Sequence, residues 1–167
     1  NAWLAKIGLS ADNLECGAHF PYYEPALHDM VRGGIVPTRS HNNCSGKHTG
    51  FLSTAVHLGE KTAGYIRYEH SVQQRLLGIL EQMCGQDLSA VPRGIDGCGI
   101  PTIAIPVGHH ALGMAKMADT KDLSPARAAA CARILAAMSH EPWYVAGTGR
   151  FCTEVMKVTG TKAAIKT

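Results

Sequence analysis

The chain has 167 residues, long enough to bury a sizeable core and, on length, one domain spanning 1–167. Hydrophobic residues make up 46% of it and charged residues 17%, and the formal net charge is +3, with 16 Lys and Arg that nowhere form a run; this argues against nucleic acid and membrane surfaces as partners. Gly, Pro, His or Lys breaks every apolar stretch well before the ~20 residues of a membrane span, and the opening NAWLAKIGLSADN lacks a secretory signal's apolar region, so a cytoplasmic setting is expected.

Residues 2–9 and 22–32 carry short helical patterns, and Gly33 and Gly34 suit the end of the second. IVPTRSHNN reads as loop, because proline and a polar cluster interrupt the periodicity. Helical spacing of Phe51, Leu52, Ala55, Val56 and Leu58 predicts a helix over 47–58, stopped by Gly59. Another is predicted over 71–84, with a broad apolar face from Val72 to Met83 and Gly85 as its end. RGIDGCGIPT reads as a brief strand entering a glycine turn, and 102–118 as a helix that Pro106 either kinks or begins. Ser124 as cap and Pro125 in the first turn announce an Ala-rich helix to about 140. AGTGRFCTEVMKVTG gives a Gly-rich turn and then a short helix, and TKAAIKT reads as a last strand without a partner.

The densest polar patch is HNNCSGKH, residues 41–48, at the start of the 47–58 helix. A phosphate loop fails there on residue identity: the pattern needs glycine five residues before Gly-Lys and Ser or Thr after it, where this chain has His41 and His48. Cys44 and Lys47, three apart, share one helix face, and a thiol near a helix start and a cation has the setting of a reactive thiolate; a structural cysteine beside a solvated lysine has the same spacing. DGCG adds Asp96 and Cys98, and two thiolates from separate segments suit zinc, although no CxxC pair marks a zinc finger. The six cysteines, 16, 44, 84, 98, 131 and 152, are expected as free or metal-bound thiols, since the chain is large and their spacing sparse. Among nine histidines, adjacent His109 and His110 point apart and cannot form an i, i+4 metal pair. Arg150, after a Gly-rich turn, is a candidate carboxylate clamp or an ordinary cap.

LECGAHFP, PTRSHNNCSGKHTGFL, EHSVQQ, GIDGCGIPT and GTGRFCTEVM, in that order, resemble the asparaginase II family, the Rhizobium-type L-asparaginases. The resemblance runs along nearly the whole chain. It implies an α+β fold similar to serine β-lactamases, here a helix-rich portion with an incomplete sheet. The implied activity is hydrolysis of L-asparagine to L-aspartate and ammonia. The implied zinc ligands are Cys44, Lys47 and Cys98, with Asp96 beside the metal as a catalytic-site group. The resemblance also makes His48 a substrate-touching residue and Cys152 and Lys166 active-site positions with Lys166 in the catalytic set, and Arg150, from its place after the Gly-rich turn, is kept as an expected substrate contact. The family is commonly dimeric, which implies a homodimer.

The family's catalytic serine sits in a Ser-x-x-Lys arrangement, and none occurs before residue 41. The chain is therefore expected to be the middle of the family domain, with the nucleophile segment and the C-terminal strands lying outside it. The alternatives are a non-catalytic zinc-binding or amino-acid-binding module that keeps the metal site, and a thiol amidohydrolase using Cys44 itself.

Overall fold

The computed structural model describes residues 2–166, and in it α1 (Ala2–Lys6) leads into a 3-10 turn at Ala11–Asn13 whose N-cap is Ser10. Ser10 Oγ accepts from the Asp12 amide at 3.2 Å, meeting a donor that a helix start leaves orphaned. Next come α2 (Glu24–Arg32), a 3-10 turn at Arg39–His41, α3 (Ser45–His57) and α4 (Ser71–Cys84). Helix α4 has the predicted bounds. His70 caps it, its Nδ1 accepting from the Val72 amide at 3.2 Å, and Gly85 ends it at φ +66°, which costs glycine little.

Two strands follow, β1 (Arg93–Ile95) and β2 (Pro101–Ile103), paired antiparallel with Arg93 opposite Ile103 and Ile95 opposite Pro101. This corrects the expected helix over 102–118: residues 101–103 pair with β1, and the helix proper, α5, is Val107–Ala118. The physical reason is the hairpin, which uses backbone groups a helix would need; the Ala104 amide, for instance, donates to the Pro92 carbonyl at 2.9 Å. Pro106 lies just before α5.

The chain divides into two compact units, Asn1–Pro106 and Val107–Thr167. The first unit's core joins Leu4, Leu14, Cys16, Phe51, Leu52, Ala55, Tyr65, Val72 and Cys98, with Cys44 and Ile66 packed against it. Leu14, Leu52 and Tyr65 are wholly buried, and burying an apolar side chain of that size stabilises a fold by about 1.5–3 kcal/mol. Cys44 and Cys98, 54 positions apart in sequence, thus meet on one apolar cluster.

In the second unit α5 is followed by α6 (Pro125–His140), α7 (Pro142–Ala146) and α8 (Phe151–Thr159). Ser124 caps α6, accepting from the Arg127 amide at 3.4 Å, as its place before Pro125 predicts. Helix α7 was not foreseen, and Pro142 in its first turn is the signal that marks it. The wholly buried Thr153 of α8 donates its hydroxyl to the Gly147 carbonyl at 2.7 Å, tying the Gly-rich turn to the helix behind it. The expected last strand is a 3-10 turn at Gly160–Lys162 with no regular structure over 163–166; Thr167 lies outside the described residues. The architecture is helix-rich α+β with a small two-stranded sheet. No helix among the described residues is long and apolar enough to cross a membrane.

Candidate metal centre

The loop carrying HNNC is stitched to the segment around Cys16 before α3 begins. Arg39 donates from Nη1 to the carbonyls of Asp12 (3.0 Å) and Leu14 (2.7 Å), and Asn42 donates from Nδ2 to the Gly17 carbonyl at 2.7 Å. Asn42 then turns its other side-chain atom inward: Oδ1 accepts from the Cys44 amide at 2.8 Å, an Asx-type turn that sets Cys44 at the N-cap of α3. Lys47 follows on the first turn, near the cysteine as the three-residue spacing predicts.

The second ligand segment is the hairpin turn between β1 and β2. The Asp96 amide donates to the Ile100 carbonyl and the Gly99 amide to the Asp96 carbonyl, both at 2.8 Å, and the Asp96 carboxylate accepts from the Gly97 amide at 2.7 Å. Gly99 has φ +94°, a conformation that favours glycine, and it lies against Ile66, whose Cδ1 would be 3.4 Å from a Cβ there. The turn aims Cys98 into the core and leaves Asp96 at its mouth.

The two segments converge. Ligand atoms of Cys44, Asp96 and Cys98 all lie within 4.8 Å of one another. Lys47 Nζ stands 3.3 Å from Asp96 Oδ2, and the Cys98 thiol donates to the same oxygen at 3.3 Å. Neighbouring ligands on a tetrahedral zinc are about 3.4–3.8 Å apart, given bonds of ~2.1–2.3 Å, so this donor set fits a small soft-to-borderline cation with modest movement. Without a metal the charges hold each other. Burial works against the Lys47 ammonium, but Cys44, Cys98 and Asp96 outweigh it and leave its pKa raised. The Cys98 thiol and then Lys47 hold the Asp96 carboxyl below its ordinary range, and burial pushes the Cys98 thiol up. A metal held by Cys44 and Cys98 would displace their thiol protons, so its binding would be coupled to proton release. No disulfide joins any of the cysteines among the described residues.

His48, next to Lys47 on α3, is wholly buried. Its Nδ1 is 2.7 Å from the hydroxyl of Tyr65, whose oxygen also accepts from the Glu15 amide at 2.7 Å. Burial and then the charge of Lys47 push its pKa down to about 4, so the ring is neutral. Sequence reasoning passed over Tyr65 and Glu15, although Glu15 stands in the quoted LECG segment and GYIRY, with its aromatic among polar residues, gave no periodicity to follow.

The remaining site candidates belong to the second unit. Arg150 is the N-cap of α8 and Cys152 is buried on its first turn. Together with Lys166, Ala146, Gly149 and Phe151 they line a cavity of about 240 Å³. Two basic side chains and a thiol around so small a space suit an anionic group of a small molecule. The positive φ of Gly147 (+96°) and Gly149 (+66°) lets the turn carry Arg150 to the cavity's rim.

A family model described as L-asparaginase II matches residues 1–167, the whole chain. No curated protein matches it.

Proposed function

The chain belongs to the L-asparaginase II family, and from that premise we propose that it forms part of an amidohydrolase converting L-asparagine and water to L-aspartate and ammonia, with the architecture of the serine β-lactamases. The observation that carries the reading is the convergence of Cys44, Asp96 and Cys98, with Lys47 bonded to Asp96, in a chain matched over its length by that family.

Cys44, Lys47 and Cys98 would hold the zinc, and Asp96, accepting from Lys47, would orient that ligand. Bound there, zinc would supply a positive charge that orients the substrate or polarises its amide carbonyl. In the second unit, the cavity lined by Arg150, Lys166 and Cys152 would suit an anionic group such as a carboxylate. Lys166 would also serve in proton transfer. The nucleophile would be a serine outside these residues, because no serine in the chain precedes a lysine by three. Its attack on the carboxamide would expel ammonia and leave an acyl-enzyme for water to cleave. A homodimer in the cytoplasm is the setting proposed for it.

Metal analysis combined with an L-asparagine titration followed by NMR tests this reading. Zinc near one equivalent, with amide shifts around Arg150 and Lys166 on adding asparagine, is the expected result. A chain that takes up no zinc and does not respond to asparagine would refute it. Ammonia release that survives metal removal but is lost in Cys44→Ser would instead make Cys44 the nucleophile.

A further inference from the structure

Tyr65 is the point where the segments that carry the metal-site residues meet. It is wholly buried, and its ring packs on His48 and Phe51 of α3 with centroids 5.4 and 6.1 Å away. Its backbone carbonyl accepts from Gln73 Nε2 at 2.8 Å, which fastens it to α4. Its neighbour Gly64 donates to Glu15 Oε1 at 2.6 Å, and its other neighbour, Ile66, borders Gly99 in the turn that holds Asp96 and Cys98. One residue thus touches both the helix that bears Cys44 and Lys47 and the loop against which the second ligand segment rests.

Proton accounting at its hydroxyl is restrictive. The Glu15 amide can only donate, so the Tyr65 oxygen is its acceptor. The single hydroxyl proton is then left for His48 Nδ1 at 2.7 Å. A neutral imidazole that accepts at Nδ1 carries its own proton on Nε2. His48 Nε2 is buried with no hydrogen-bond partner among the described residues, so the contact at Nδ1 is the one that sets the tautomer, even though it leaves the Nε2 proton without an acceptor there.

We infer that Tyr65 is a positioning residue of the metal centre: it holds His48 as the Nε2–H tautomer and, through that bond, fixes the first turn of α3 from which Cys44 and Lys47 reach the metal. This rests on the proposed function only in taking Cys44, Lys47 and Cys98 as the ligands. The tautomer itself is independent of that reading.

The test uses the full chain, labelled with ¹⁵N, and long-range proton–nitrogen correlation of its imidazoles, with His48 assigned by its loss in His48→Asn. Wild type should show an unprotonated Nδ1 and a protonated Nε2, both metal-free and with zinc. Tyr65→Phe, which keeps the ring and removes only the hydroxyl, should abolish the single-tautomer pattern and weaken zinc binding about tenfold. His48→Asn, whose side-chain oxygen can stand near the place of Nδ1, should keep zinc affinity within about twofold, whereas His48→Leu should lose about tenfold. A wild-type His48 protonated on Nδ1 would overturn the inference, as would a Tyr65→Phe protein with an unchanged tautomer or unchanged zinc affinity. If Tyr65→Phe fails to fold, the wild-type tautomer and the Asn–Leu comparison decide, and equal zinc affinity in those two variants overturns it. An absent asparagine response alongside the expected tautomer and zinc results would sink the enzymatic reading and leave this one standing.

Discussion

His48 should make the first unit acid-sensitive in a pH window fixed by its burial. In the unfolded chain its pKa returns to 6.5, whereas in the fold it lies at about 4, because burial and then the nearby Lys47 disfavour the imidazolium. Between those values the unfolded chain binds the additional proton, so stability falls as the pH drops from about 6.5 toward 4 and is fully present above that window. At 1.36 kcal/mol per pKa unit the whole effect is about 3 kcal/mol, of which about 2 kcal/mol is lost by pH 5. Urea unfolding of metal-free protein at about pH 7.5 and 5 measures it. A Trp143→Phe background leaves as reporter Trp3, which lies near Gly50 of α3 in the first unit. Carboxylates also titrate over this range, so the comparison is with His48→Asn, which keeps an acceptor for Tyr65 but cannot charge. Wild type should lose about 2 kcal/mol more than the variant. Equal losses in both proteins would refute the assignment of His48 as a buried neutral ring.

Cys98→Ala should abolish stoichiometric zinc binding while Cys131→Ala, a buried thiol of α6, should leave it intact, and metal analysis after dialysis separates the two. Zinc uptake near neutral pH should release about three protons per ion, from two thiols and the Lys47 ammonium; calorimetry in buffers of different ionisation enthalpy counts them, and two or fewer would remove Lys47 from the ligand set. Gly99→Ala should cost about 1–3 kcal/mol, because an L side chain is strained at φ +94°, and an unchanged denaturation midpoint would contradict the turn described. Leu52→Ala, at a wholly buried position in α3, should cost about 2–5 kcal/mol, read from the same urea curves.

Local signals in the amino-acid sequence determined most of the helices. Apolar spacing and a terminal glycine define α4 to the residue, and the Ser124–Pro125 pair starts α6, because caps and periodicity act within a few positions of chain. The same locality put Cys44 and Lys47 together at the start of α3, and the resemblance to a family implied that Cys98 would join them as a ligand. Residues 101–103 misled the reading because their strand exists only through pairing with 93–95, and a short apolar run does not say which partner it will find. What only the tertiary structure decided is the closing of the centre itself. Cys44 and Cys98 meet because separate helices, a hairpin turn and the Tyr65 loop share one apolar core, and burial of that core is a sum over distant residues that no local pattern encodes. It also decided that His48 faces inward to Tyr65, since the direction of a helix residue is set by what the other segments leave open for it to pack against.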